Sequence, residues 1–224
     1  MDLEALKSGW LRAYEEASSE RLWAEEPLAF LSDYLDLIIG TGRHGVLDIG
    51  CGEGRNLEFF AKAGLPTIGL DLSALALERA YQNAVSKGLS HVALLQGDID
   101  ALPSPFLKSS VSVVTCLDVF GQLIDPRQAL TRIEQLLRPG GLFLANLYTL
   151  DDETYGAGEE IEPKAFVYRG TLFRFFDRLD VDSLFTCFSL ISVKVYSWLD
   201  PPHPGYRDED HKHESFVVLA RKRS

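Results

Sequence analysis

Apolar and polar positions along the chain change their period several times, and each change marks an element. In PLAFLSDYLDLII, Leu28, Leu31, Leu35 and Ile38 fall at helical spacing behind Pro27, which suits a first helical turn, and residues 3–40 as a whole read as helical. GTGRHG (40–45) breaks that pattern. From Gly45 onward short apolar runs alternate with amphipathic stretches. The apolar runs VLDIG (46–50), PTIGLDL (66–72), HVALLQGD (91–98), SVSVVTCLD (110–118) and GLFLANLY (141–148) read as strands. Helices fall between them at 55–64, ended by Gly64; at 74–88, capped by Ser73 and closed by Gly88; and at about 126–137. This alternation predicts a doubly wound, Rossmann-like α/β sheet with mostly parallel strands.

After Tyr148 the character changes. TLDDETYGAGEEIEP (149–163) is acidic and reads as a loop, and AFVYRGTLFRFFD (165–177) alternates as extended chain does. A short helix, VDSLFTCF (181–188), precedes SLISVKVYSWLD (189–200), and ESFVVLARK (214–222) ends the chain. These last two runs predict a hairpin whose final strand closes the sheet antiparallel, for seven strands in all. Residues 1–224 read as a single unit: a helical cap over 1–43, a glycine-turn core over 44–148, and an elaboration with the closing hairpin over 149–224.

Charge narrows the partners. The formal net charge is −11 with no Lys/Arg cluster to offset it, which argues against nucleic acid. Cys51, Cys116 and Cys187 are dispersed among apolar residues without CxxC spacing, as suits a reducing cytosol. MDLEALKSGW has neither the basic region nor the apolar run of a signal peptide, and no apolar run reaches membrane-spanning length. A soluble cytoplasmic protein without a membrane partner is expected; the oligomeric state is not legible.

The chemistry concentrates in VLDIGCGEGRN (46–56). Gly50 and Gly52 keep the register of a dinucleotide fingerprint, but Arg55 stands where its third small residue belongs, and Gly54 comes one position early. The pattern is D-x-G-C-G-x-G, with Asp48 leading. Asp71 ends the second strand, where a carboxylate can accept bonds from ribose hydroxyls, as it also does in NAD enzymes. GDIDALP (97–103) ends the third strand, TCLDVFGQL (115–123) ends the fourth, and LRPGG (137–141) introduces the fifth.

Taken in order, these motifs resemble the class I S-adenosylmethionine-dependent methyltransferases over roughly 44–148, with the family's closing hairpin matched in pattern at 189–222. The resemblance implies a cofactor, S-adenosylmethionine, and roles for matching residues. Asp48, Gly50, Cys51, Gly52 and Gly54 would form the turn under its methionine part, and Asp71 would take the ribose hydroxyls. Leu72 would flank the adenine, Asp98 would meet its amine, Ile99 would donate a backbone N–H, and Leu117 would offer a carbonyl to the ammonium group. Asp48 also fits a plain turn cap, and Asp100 is close enough to compete with Asp98. With WAEEPLAFL (23–31) ahead of the core, the chain looks most like small-molecule members of the tellurite-resistance and thiopurine type.

Methyl transfer from a sulfonium is an in-line displacement that needs alignment and water exclusion more than a base. The fourth strand continues as CLDV rather than the N/D-P-P-Y of enzymes that methylate exocyclic base amines. Many small-molecule members carry a histidine where Gln122 stands, which leaves Asp118 as the nearest ionisable side chain, with a structural role favoured for it. Trp10, Tyr14, Trp23, Gln122, Tyr148 and His203 are the expected pocket residues. Tyr155, Tyr168, Phe173, Phe175 and Phe176 add aromatic surface, though the three phenylalanines also read as ordinary core. DPPHPGYRDEDHKHES (200–215) starts at the carboxyl end of a parallel strand, on the ligand side of such sheets, and holds His203, Tyr206, Arg207, His211 and His213. His203, Tyr206 and Asp118 are the candidate acceptor-facing groups; a solvated loop with incidental histidines is the alternative. No metal site is expected, because His-x-His alone supplies too few ligands. The expected function is methyl transfer to a small molecule. A non-catalytic S-adenosylmethionine-binding module or partner subunit is the alternative, and an NAD-dependent oxidoreductase is weakened by Arg55.

Overall fold

In chain order the strands are β1 (Val46–Ile49), β2 (Thr67–Asp71), β3 (Val92–Gln96), β4 (Val111–Cys116), β5 (Leu137–Tyr148), β6 (Glu159–Glu162), β7 (Ala165–Tyr168), β8 (Thr171–Arg174), β9 (Phe188–Asp200) and β10 (His211–Lys222). Seven of them form one sheet in the order β3-β2-β1-β4-β5-β10-β9. The first five strands pair in parallel. β10 is antiparallel to both β5 and β9, so β9 runs with the parallel strands and Asp200 ends on their carboxyl side. This computed structural model describes residues 3–17, 21–101, 108–203, 207 and 209–223. Among them, no helix is long and apolar enough to cross a membrane.

Helices α1 (Leu3–Glu16), α2 (Leu35–Thr41), α3 (Arg55–Lys62), α4 (Ala74–Ser86), α5 (Pro126–Leu136) and α6 (Arg178–Leu184) complete the layers. Every residue of β1 and β4 is buried, as central parallel strands covered on both faces require. One face packs Phe120, Phe143, Phe185 and Phe188; the other packs Phe30, Leu31, Ile38 and Phe60. The helix starts follow from side-chain capping. Ser73 Oγ accepts from Ala76 N at 3.1 Å, and Asp125 accepts from Gln128 N at 3.0 Å ahead of Pro126. Strand order reverses between β1 and β4, which is where open α/β sheets bind ligands.

The structure departs from the sequence reading in five places. Residues 3–40 are not one helical run: α1 stops at Glu16 and only a 3-10 helix (Ala29–Tyr34) leads into α2. The physical reason is where the backbone donors go. Leu22 N and Trp23 N donate to the Glu53 carboxylate at 3.0 and 3.3 Å, and Leu28 N donates to Asn56 Oδ1 at 3.1 Å. The acidic stretch 149–163 contains β6, which pairs with β7 in a second sheet, β6-β7-β8. β7 and β8 form a hairpin around Arg169 and Gly170, at φ +51° and +78°. A capping box of Asp177 and Asp180 starts α6 at Arg178, earlier than the apolar pattern indicates. β10 opens at His211, so His211 and His213 are strand residues, not loop residues. Cys187 is exposed, unlike the buried Cys51 and Cys116.

Glu53 is 2% exposed, and besides the two backbone donors it accepts from Arg79 Nη1 at 2.9 Å. Its carboxylate docks the amino-terminal cap on the sheet. Glu53→Ala removes the acceptor of two amides and the carboxylate partner of Arg79, which keeps the Tyr14 carbonyl, and should lower the unfolding free energy by about 3–5 kcal/mol in urea titrations. Glu53→Gln, which still accepts one amide, should lose less.

Candidate active site

The turn leaving β1 is built on left-handed backbone. Gly50, Gly52 and Gly54 stand at φ +67°, +54° and +92°. A Cβ on Gly50 would collide with Val119, and one on Gly52 would meet Tyr14 Oη at 2.7 Å. Asp71, at the end of β2, closes the turn from the neighbouring strand: Gly52 N donates to its Oδ2 and Ser73 N to its Oδ1, each at 2.8 Å. Burial raises the Asp71 carboxyl above its ordinary range, against those hydrogen bonds. Asp48 lies beneath the turn. Its Oδ1 accepts from Thr115 Oγ1 at 2.6 Å, its Oδ2 has no hydrogen-bond partner, and it is not on the cavity wall.

Above the turn is a cavity lined by Gly50, Cys51, Gly52, Asp71, Leu72 and Leu117 on the sheet side. Trp10, Tyr14, Arg21 and Trp23 of the cap close it from above. Trp23 Nε1 donates to Tyr14 Oη at 2.8 Å, and the Trp10 ring lies 5.3 Å from Trp23 and 6.3 Å from Phe173. Past Gly50, Leu72, Val119, Gln122 and Trp10 the space continues into a second pocket that holds Asp98 and Ile99. Asp98 carries a partner that the sequence does not signal, an ion pair with Lys7 of α1; Lys7 also reaches Asp100 at 3.2 Å. Tyr148, Gln122, Tyr168 and Phe173 line the main cavity, whereas Phe175 and Phe176 are core. Gly54 starts α3 and stays off the wall.

Of the candidate acceptor-facing groups, Asp118 is occupied. It sits at φ +57° with Arg55 Nη2 on its Oδ2 at 2.6 Å, while Asn146 Nδ2 and Tyr148 Oη donate to its Oδ1 at 2.7 and 3.3 Å. It anchors three side chains and is not available as a free base. Burial, then the charges of Asp118, Asp152 and Asp200, push the Tyr148 phenol well above its ordinary range, so it stays a donor. His203 does face the cavity; it is 2% exposed, with Nδ1 3.1 Å from the Leu22 carbonyl and its ring 4.6 Å from Trp23. Tyr206 lies outside the described residues. His211 and His213 line the cavity too, joined by Asp200 from β9.

Sequence reasoning missed Lys7, Arg21, Glu53 and Asp200. Arg21 belongs to the irregular cap segment, where no periodicity marks it, yet its Nε and Nη2 are buried at the cavity without a hydrogen-bond partner among the described residues. Its nearest acids, Glu25 and Glu53, lie 3.8 and 3.9 Å away. Arg55 did carry a signal, since it breaks the dinucleotide fingerprint.

Residues 47–145 match the sequence family described as a methyltransferase domain. That match covers the sheet core and under half of the chain. Methyltransferases are also among its relatives by sequence and its neighbours by fold. A ubiquinone biosynthesis O-methyltransferase from Leptothrix cholodnii is 32% identical over 103 residues, which are 46% of this chain and 43% of that protein. The chain therefore spans under half the length of the curated relative it matches. An S-adenosylmethionine-dependent methyltransferase from Methanosarcina mazei superposes with a TM-score of 0.70 at 20% identity, covering 88% of this chain and 99% of that one. The 1,6-didemethyltoxoflavin-N1-methyltransferase of Burkholderia thailandensis, solved with that substrate and S-adenosylhomocysteine, superposes at 0.68 with 21% identity, covering 99% and 88%. At these identities the structural likeness speaks for the fold.

The buried Asp48 sets a pH dependence. Burial is the main cause that raises its carboxyl from 3.8 to about 7, with Asp71 adding to it and Thr115 and Arg55 opposing. The folded state therefore keeps a proton that the unfolded chain gives up. Stability from this group is full below pH 3.8 and declines until about pH 7, where it levels off. Asp48→Asn keeps the Thr115 bond and removes the titration. Urea unfolding should show the variant more stable than the parent at pH 8, by on the order of 2 kcal/mol, with the difference shrinking towards pH 4.5.

Proposed function

We propose that this chain transfers the methyl group of S-adenosylmethionine to a small-molecule acceptor carrying a hydroxyl group. The observation that carries this reading is a pair of adjoining pockets that share Gly50, Leu72, Val119, Gln122 and Trp10. They extend from Asp98 and Ile99, past the glycine turn and Asp71, to the aromatic and histidine wall at Trp23, Tyr148 and His203. A cofactor and a small acceptor would lie end to end there. The hydroxyl is supported by the O-methyltransferases among the sequence relatives.

The residues present suit the cofactor. The turn at Gly50 and Gly52 is a cradle that a Cβ would fill, which suits close approach of a ligand to the backbone. Asp71 spends one lone pair of each oxygen on an amide and keeps others for ribose hydroxyls. The unpartnered Nε and Nη2 of Arg21 supply the cation for the methionine carboxylate, and the Leu117 backbone borders the same end. Asp98 with Ile99 and Leu72 would receive the adenine; for the amine to reach Asp98 it must share that carboxylate with Lys7. Bound S-adenosylmethionine supplies a methyl group already activated by the sulfonium. The protein's share is to align the acceptor in line with it and to exclude water, with Trp10, Tyr14 and Trp23 as the cover.

Titration calorimetry should detect S-adenosylmethionine and S-adenosylhomocysteine and no NAD. Asp71→Ala should weaken cofactor binding by about 1–3 kcal/mol. A screen of phenols, catechols and other hydroxylated acceptors with methyl-labelled cofactor should then yield a labelled ether. NAD binding without a response to S-adenosylmethionine would overturn the reading, and cofactor binding without label transfer to any acceptor class would favour a non-catalytic module.

A further inference from the structure

The hairpin of β9 and β10 brings together residues that are well separated in sequence. Antiparallel pairing sets Asp200 opposite His211, and Trp198 opposite His213. His211 and His213 stand two apart on a strand and so share one face, the face that lines the cavity. Asp200, His211 and His213 are 5%, 5% and 6% exposed, and one ligand-type atom from each lies within 4.8 Å of the others. A fourth polar group joins them. His203 Nε2 is buried without a hydrogen-bond partner among the described residues and lies 3.4 Å from Asp200 Oδ2.

The ring orientations carry the argument. His211 Nδ1 is 3.1 Å from the Glu209 carbonyl, and His203 Nδ1 is 3.1 Å from the Leu22 carbonyl. A carbonyl only accepts, so both rings hold their proton on Nδ1. His213 Nδ1 is 2.9 Å from Asp152 Oδ2, a carboxylate oxygen that also accepts from Glu214 N at 2.8 Å. Each imidazole thus uses Nδ1–H on an acceptor outside the cluster and leaves its Nε2 lone pair to the cluster. The Nε2 atoms of His203 and His213 stand 3.4 and 4.0 Å from Asp200 Oδ2. The Nε2 atoms of His203 and His213, a ring nitrogen of His211 and the Asp200 carboxylate converge there, a buried set of ligand-type atoms that a cation would complete.

We infer that Asp200, His211 and His213 bind a divalent transition-metal ion of the zinc or iron(II) class, with His203 beside it as a further ligand or neighbour. Two or three imidazoles with one carboxylate suit these ions and not magnesium or calcium, which prefer all-oxygen sets. The acceptors on Nδ1, Asp152 above all, are the outer partners that orient metal-binding histidines. The cluster lies on the cavity wall beside Tyr148, whose ring is 4.9 Å from that of His213, so an ion there would have open coordination positions towards the cavity. In a part that rests on the proposed methyl transfer, they would take the acceptor's hydroxyl and lower its pKa, releasing its proton to solvent. That would assign to a metal the task for which Asp118, held by Arg55, is not free.

The test uses the full chain, stripped with a chelator and titrated with Zn²⁺ by calorimetry, and with Co²⁺ by visible absorption. One ion per chain is expected. His213→Ala should weaken Zn²⁺ binding by about 100-fold or more, and Asp152→Asn by about 10–100-fold. Circular dichroism melting establishes that each variant folds. Nitrogen-15 spectra of the wild-type histidines need no variant: Zn²⁺ should move the Nε2 resonances of His211 and His213 and leave their Nδ1 atoms protonated. No stoichiometric binding, unmoved Nε2 resonances, or equal affinity in a folded His211→Ala/His213→Ala variant would overturn the site and leave a proton-bridged network in its place. A parallel titration with S-adenosylhomocysteine separates the two readings. Cofactor binding without Zn²⁺ binding removes only the metal site, and ligand-dependent Zn²⁺ binding without cofactor binding removes only the methyl-transfer reading.

Discussion

The Asp71 carboxylate, which accepts the amides of Gly52 and Ser73, is the contact on which the site depends. A turn with positive φ at every other residue, Gly50, Gly52 and Gly54, has no regular hydrogen-bond ladder to hold it, so something outside must. Asp71 does this from the adjacent strand, and Leu70 contributes its carbonyl to Gly50 N and Cys51 N. Glu53, at the other side of the same turn, fixes the cap through Leu22, Trp23 and Arg79. Floor and roof of the cavity are thereby tied to one short segment. Any change that shifts the turn moves both walls together.

The acidic side chains around the cavity divide into distinct tasks by their partners. Asp71 and Glu53 meet amides, Asp118 meets Arg55, and Asp98 meets Lys7. Asp48 is buried, with a hydroxyl on one oxygen only, and burial keeps its proton on up to near neutral pH against that hydrogen bond. None of these carboxylates is left poised as a base for an acceptor. Asp200 differs, because its neighbours are imidazoles. The acceptor end of the cavity is therefore chemically unlike the cofactor end, although the two share one enclosure.

That division follows the chain. The family match spans 47–145, which contains the glycine turn, Asp71, Asp98 and Leu117. Trp10, Tyr14, Arg21, Trp23, Asp200, His203, His211 and His213 all fall outside it. A cofactor-binding turn is a feature that a short local sequence can encode. In the proposed methyl transfer, acceptor choice would fall to the two ends of the chain, which line the same cavity.

The central part of this protein was legible in its sequence because its signals are local. Strand and helix periods, the cap at Ser73, and glycines that must take positive φ depend on near neighbours, and they placed β1 to β5 and the turn between β1 and α3. A mostly parallel, doubly wound sheet with an antiparallel closing strand followed from the alternation of elements and from the motif resemblance. What the sequence could not decide depends on contacts across the fold. The cap departs from helix because Glu53 and Asn56 take its amides, and β6 forms because β7 is there to pair with it. The histidines offered only an H-x-H spacing until the pairing of β9 with β10 brought Asp200 to His211. Periodicity registers a residue's neighbours along the chain; a cluster of ligands is defined by neighbours in space, and only the tertiary structure supplies those.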